Sequence, residues 1–251
     1  MTDSSRKPLA VAFATAALAA LLPIAGALAA VAPFPEFLDP NPNPRNEFGK
    51  QVVFLSNGNV VVTSPKDDYD AIDTGAVYLF NGTTGALIAS LRGSSAGDQV
   101  GSGGVVALSN GNFVVLSPSW DNLGVVNAGA VTWCSGTTGA VRVVSSANSL
   151  VGSSTSDRVG SGGVTALPNG HCVVVSDIWS NGAIASVGAV TWMNGNTGRT
   201  GAVSSGNSLV GGTTQDFVGN AGVTVVGGSH YVVGSQSWQS GAANPVGAAT
   251  W

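Results

Sequence analysis

Short Val-rich runs alternate with Gly- and Asn-rich turns along most of this chain, and the best-formed example lies at residues 159–192. Residues 164–167 predict a short strand and Pro168-Asn169-Gly170 a tight turn, because Asn-Gly supplies the positive φ that hairpins need. Residues 172–176 predict a second strand. A loop of 11 residues (177–187) then leads to a third strand at 188–193, rich in β-branched residues and Trp. Residues 194–198 turn the chain into a weaker fourth strand. In the second strand of the preceding copy, Phe113 and Val115 share one pleat face and Val114 and Leu116 the other. A strand apolar on both faces must lie in a sheet sandwiched between neighbours.

The pattern is written almost four times. Gly49, Gly101, Gly160 and Gly219 are spaced by 52, 59 and 59 residues, and Gly75, Gly129, Gly188 and Gly247 by 54, 59 and 59. The first copy is shorter because its last strand region (85–91) lacks five residues that 139–150 contains. A period of this length with four strands per copy predicts an all-β chain of tandem four-stranded antiparallel sheets, propeller-like with about four blades. The copies run 48–99, 100–158, 159–217 and 218–251.

Composition narrows the chemistry. Charged residues are 9% and hydrophobic residues 44%, so the surface must be built from Ser, Thr, Asn and Gly. Low charge with high hydrophobicity excludes a disordered chain. A net charge of −4 without a basic cluster argues against a nucleic-acid partner. Arg6 and Lys7 precede an apolar run ending near Ala27-Leu28-Ala29, which predicts a signal peptide at residues 1–29 rather than an uncleaved anchor. The mature chain is then expected outside the membrane, secreted or at the cell surface or envelope. Residues 30–47 form a Pro-rich connector. Cys134 and Cys172 do not recur between copies, which favours buried thiols over a disulfide framework.

Phe48-Gly49, residues 60–65 (VVVTSP) and residues 75–80 (GAVYLF) resemble an FG-GAP repeat, the blade unit of integrin-type β-propellers and of secreted bacterial proteins. The resemblance covers residues 48–251 and implies a β-propeller fold, with almost no information about activity. Calcium-binding members carry an Asp-rich loop between the first two strands. Here the matching turns are Ser56-Asn57-Gly58, Ser109-Asn110-Gly111 and Pro168-Asn169-Gly170, without carboxylates, so no metal site is carried over.

Among candidate residues, Asp98, Asp157 and Asp216 recur one per copy and suit local side-chain-to-backbone bonds better than a metal. The cluster Asp67, Asp68, Asp70 and Asp73 occurs in the first copy alone and reads as a solvated acidic loop. His171 and His230 stand in register with Asn112 and read as a variable exposed position. Trp120, Trp179 and Trp238 recur in the long loop; they either pack between blades or form an aromatic platform for a ligand. No catalytic residue, metal ligand or cofactor motif is identified. The expectation is an exported, non-enzymatic protein that binds a glycan or a protein, with Trp120, Trp179 and Trp238 as contact candidates. The alternatives are a purely structural envelope module, or a propeller-type hydrolase or lyase using the acidic loop. Residues 34–38 could supply the outer strand that the last copy lacks and close the ring. A larger or oligomeric array and a solenoid fit the same repeats.

Overall fold

The computed structural model describes residues 36–140, 143–240 and 245–251; the expected signal peptide lies outside them. The described chain is all β. The first sheet contains β1 (Val52–Phe54), β2 (Val60–Ser64), β3 (Ala76–Phe80) and β4 (Leu87–Arg92) in that order. The second contains β5 (Gly104–Ala107), β6 (Phe113–Ser117), β7 (Ala130–Cys134) and β8 (Ser149–Val151). The third is built on β9 (Gly163–Ala166), β10 (Cys172–Ser176) and β11 (Ala189–Met193). Between β11 and the third sheet's last strand, the short β12 (Gly201–Ala202) crosses to the second sheet and pairs in parallel with β8. The third sheet is completed by β13 (Leu209–Val210), and the fourth contains β14 (Val223–Val225), β15 (Tyr231–Ser235) and β16 (Ala248–Thr250).

The doubly apolar second strands behave as their sequence requires. β2, β6 and β10 are buried at every residue. One core joins the first sheet to the second through Val61, Val77 and Leu91 against Val105, Phe113 and Val115. A second core joins Val114, Val131 and Leu150 to Cys172, Val174 and Met193. A third joins Val173, Val175 and Val190 to Val218 and Val233. Each fully buried Val or Leu contributes roughly 1.5–3 kcal/mol. The ends of β1, β5, β9 and β14 line one shared cavity of about 650 Å³, with Leu55, Leu108, Leu167 and Val225 on its wall. The sheets are therefore arranged as blades of an open propeller-like array, none closed into a barrel.

The two ends of the array differ. The outer face of the first sheet, with Val60, Val62, Tyr78 and Phe80, is covered by Phe37 and Phe48. Of the segment expected as a closing strand, Phe34 and Pro35 lie outside the described residues. Residues 36–38 form no strand, and Phe37 packs on Phe80 with ring centroids 5.4 Å apart. The connector thus caps the first sheet, as terminal elements of repeat arrays must. On the fourth sheet Val246 is 61% exposed and Trp251 81%.

The marker glycines before each third strand have a steric cause. Gly75, Gly129 and Gly188 have φ of 72–75°, and a Cβ on Gly129 would lie 2.3 Å from the backbone nitrogen of Val159. That nitrogen donates to the carbonyl of Ala128, and the equivalent bonds run from Val100 to Thr74 and from Val218 to Val187. These contacts stitch each copy to the next. Gly129→Ala is expected to lower the unfolding free energy by roughly 3 kcal/mol. Gly182→Ala, where φ is also positive but nothing lies within 4 Å, should cost about 1 kcal/mol. Urea denaturation of the two variants checks the difference.

Candidate functional site

Of the recurrent loop tryptophans, Trp120 and Trp179 are buried inside the fold. Trp120 and Trp179 are 3% and 2% exposed and belong to the first and second inter-sheet cores; Trp238 is half-buried against the third. Their loops are pinned at both ends. Trp120 N–H donates to Ser117 and its carbonyl accepts from Gly129; Trp179 does the same with Ser176 and Gly188. Among the described residues the indole N–H groups of Trp120 and Trp179 find no acceptor, so apolar packing outweighs the loss of one hydrogen bond each.

The recurrent aspartates hold these loops. Asp98 Oδ2 accepts from the backbone N–H groups of Ser94 and Ser95, both at 2.8 Å, while Oδ1 accepts from Asp121 N–H, next to Trp120, at 3.0 Å. Asp157 repeats this with Ser153, Ser154 and Ser180, and Asp216 with Gly212, Thr213 and Gln239. All three carboxylates are buried. Burial raises Asp98 and Asp157 above the usual carboxylate value, despite the N–H bonds that pull the other way. At Asp216 burial acts in the same direction, but the Thr213 hydroxyl and the N–H donors together outweigh it and the pKa falls.

The acidic loop of the first copy is committed internally. Asp67 is buried and accepts from Tyr78 O–H and Asn41 Nδ2, each at 2.6 Å; Asp68 accepts from Asp73 N–H; Asp70 pairs with Arg92 at 2.7 Å. It is therefore not a uniformly solvated loop. No cluster of three or more His, Cys, Asp or Glu suited to a metal occurs among the described residues. Cys134 and Cys172 are free and buried, and burial pushes the Cys172 thiol up to about 12. Such thiols are inert at neutral pH.

The position shared by Asn112, His171 and His230 is not a free surface position in the inner copies. Asn112 Oδ1 accepts from Gly136 N–H at 3.1 Å, and His171 Nδ1 accepts from Gly195 N–H at 3.0 Å. Each glycine opens the turn after a third strand. A Cβ on Gly195 would lie 1.6 Å from the Gly170 carbonyl, so only glycine fits there. His230 is exposed and packs on Trp251, with ring centroids 5.5 Å apart.

Exposure of the third-strand aromatics rises along the chain: Phe80 is 2% exposed, Trp133 half-buried, Trp192 38% and Trp251 81%. The last two, with Leu209, His230 and Tyr231, line a groove of about 600 Å³ on the third and fourth sheets. Asn207, Ser208, Ser229 and Thr250 supply neutral polar groups along it. An apolar aromatic wall with a few hydrogen-bonding groups is the composition of a binding site. Sequence reading missed it because the same Trp position is covered in the inner copy.

Asp157→Ala should destabilise the chain by about 3 kcal/mol or more, because three backbone N–H groups lose their acceptor. The signs of the pH effects differ between copies. The raised pKa of Asp98 and Asp157 gives stability that is fully present below the unfolded value near 3.8 and is lost as pH rises through the folded values. The contribution of Asp216 is present above 3.8 and is lost as pH falls through its lowered value. Carboxyl NMR titration should place Asp98 and Asp157 above 3.8 and Asp216 below it.

Comparison with known families agrees with the internal repeats. No curated protein matches the chain significantly. A family described as a repeat of unknown function, DUF5650, matches residues 54–102, 107–161, 166–220 and 225–251. Each of the first three matches starts at the inner end of one sheet and runs through the Val-Gly junction into the next. The four matches cover most of the sequence, and the chain belongs to this repeat family.

Proposed function

We propose that this is an exported, non-enzymatic protein that acts by binding at a surface, with a glycan or another protein as partner. The observation that carries the reading is the groove in which Trp192, His230, Tyr231 and Trp251 gather beside neutral hydroxyl and amide groups. Aromatic faces flanked by such groups suit neutral polar ligands, and they need no charge on either side. The sparse charge of residues 93–251, with three Arg, five Asp and no Lys or Glu, fits a contact made without ion pairs. The FG-GAP-like pattern of the first copy and the Arg6-Lys7 leader with its apolar run support a role outside the cell membrane. The contact assignment moves from the loop tryptophans to the strand tryptophans.

Indole N–H resonances offer the direct test. Glycans and peptides screened against the labelled chain should include ligands that shift the signals of Trp192 and Trp251 and leave those of Trp120 and Trp179 in place. Trp251→Ala should weaken such ligands about fivefold to tenfold, the order of an exposed aromatic contact worth about 1–1.5 kcal/mol. Binding that moves only the buried indoles, or that ignores Trp251→Ala, would overturn the assignment.

A further inference from the structure

We infer that Asn181 is a self-modification site. In the folded chain its carboxamide is attacked by the backbone nitrogen of Gly182, which leaves aspartate or isoaspartate in the long loop of the third copy.

Asn-Gly pairs are prone to this reaction because glycine places no Cβ in the path of its own nitrogen. The chain has six, beginning at Asn57, Asn81, Asn110, Asn169, Asn181 and Asn194. Reaction needs a carboxamide free to turn toward the backbone and a glycine nitrogen free to attack it. The fold holds back one or both at five of the pairs. Asn57 Oδ1 accepts from Asn59 N–H at 3.1 Å, and its Nδ2 donates to the Gly136 carbonyl at 2.7 Å. Asn110 repeats this with Asn112 N–H and the Gly195 carbonyl. Asn169 Oδ1 accepts from His171 N–H at 3.2 Å, and Asn194 Oδ1 from Asn196 N–H at 2.9 Å. In these four pairs the glycine nitrogen is committed as well. Gly58, Gly111 and Gly170 donate to the carbonyls of Leu55, Leu108 and Leu167, and Gly195 donates to His171 Nδ1. Asn81 Oδ1 accepts from Thr83 and Thr84 N–H together, and Gly82 is pressed so close to the Gly58 carbonyl that a Cβ would strike it.

Asn181 differs on each count. It is exposed, and among the described residues no hydrogen bond engages its carboxamide or the Gly182 nitrogen. Asn181 and Ile184 close the turn by exchanging backbone bonds of 3.0 and 3.1 Å, which leaves Gly182 at its tip. There Gly182 has a φ of 61°, and a Cβ on it would meet nothing within 4 Å. The matching residue of the second copy, Asn122, donates its Nδ2 to the Gly152 carbonyl at 3.0 Å and is followed by Leu123. The site therefore belongs to the third copy and not to the repeat.

The step balances without an oxidant or a cofactor. The Gly182 nitrogen bonds to Cγ of Asn181 and closes a five-membered succinimide. The carboxamide C–N bond breaks, and its nitrogen leaves as ammonia with the proton given up by the Gly182 amide. Water then adds to one of the two ring carbonyls and opens the ring, to aspartate in one case and isoaspartate in the other. Either product adds a negative charge to a stretch, residues 93–251, that holds only five Asp and three Arg. Isoaspartate also lengthens the backbone by one carbon inside the closed turn. The change falls next to Ser180, whose N–H is held by the buried carboxylate of Asp157 at 3.1 Å. The loop that carries Trp179 thus acquires charge as the molecule ages.

The test incubates the whole folded chain at mildly alkaline pH and follows each Asn-Gly pair by peptide mapping and mass spectrometry. Asn181 should be the first to gain about one dalton, with part of the product as isoaspartate. The other five should react at least about tenfold more slowly, because local opening must break their hydrogen bonds before attack. Unfolding in urea frees all six pairs, and the lead of Asn181 should then vanish. Asn181→Gln should remove the early acidic species. Gly182→Ala, which sets a Cβ beside the attacking nitrogen, should slow its appearance about fivefold or more. Persistence of Asn181 in the folded chain after the urea-unfolded chain has converted would overturn the inference. Equal rates at Asn181 and any of the held pairs in the folded chain, or an early acidic species that survives Asn181→Gln, would overturn it too.

Discussion

The array depends on one contact: a turn glycine of the second and third copies, Gly136 and Gly195, laid against the Asn pair of the copy before it and, for Gly195, against Trp133 as well. The glycine carbonyl collects side-chain donors from the preceding sheet, while its N–H satisfies an acceptor in its own sheet. Because the turn crosses the sheet boundary, the strand that follows can pair in parallel with the previous blade. Packing between sheets then buries Val-rich strands on both faces. The contact is polar at its centre and apolar around it, which sets register and lets hydrophobic burial stabilise that register.

A second device keeps the long loops in place. Asp98, Asp157 and Asp216 each spend a buried carboxylate on backbone N–H groups, one of them next to the loop tryptophan of the following copy. In a chain this poor in charge the aspartates stand out in sequence, yet their role is to satisfy donors that burial would otherwise strand. The gradient along the chain is physical as well. The same Asp carries a raised pKa in the two enclosed copies and a lowered one beside the thinner last sheet.

Much of this was legible in the residues. The two glycine series located the copies, Asn-Gly located the hairpins, and the doubly apolar strands around Val114 and Val174 implied stacked sheets. Three things were not legible. The five additional residues in 139–150 marked a difference between copies, but nothing in their types said they would return to the previous sheet as a strand. Trp120 and Trp133 look alike as recurrent indoles, and only the tertiary structure buries the first and turns the second toward a neighbouring copy. The register of His171 with Asn112 was visible, but its use as an acceptor required knowing that Gly195 comes within hydrogen-bonding reach.

The parallel pairing carried back by the second and third copies also bears on how the array assembles in time. Synthesis delivers the N-terminus first, so the connector with Phe37 and Phe48 is on hand as soon as the first sheet forms. The outer edge of that sheet, however, is finished only when residue 143 arrives, and that of the second only with residues 201–202. Each of these two blades waits 51 residues for its successor, from Arg92 to Val143 and from Leu150 to Gly201. Completion of the first two blades therefore follows the order of synthesis.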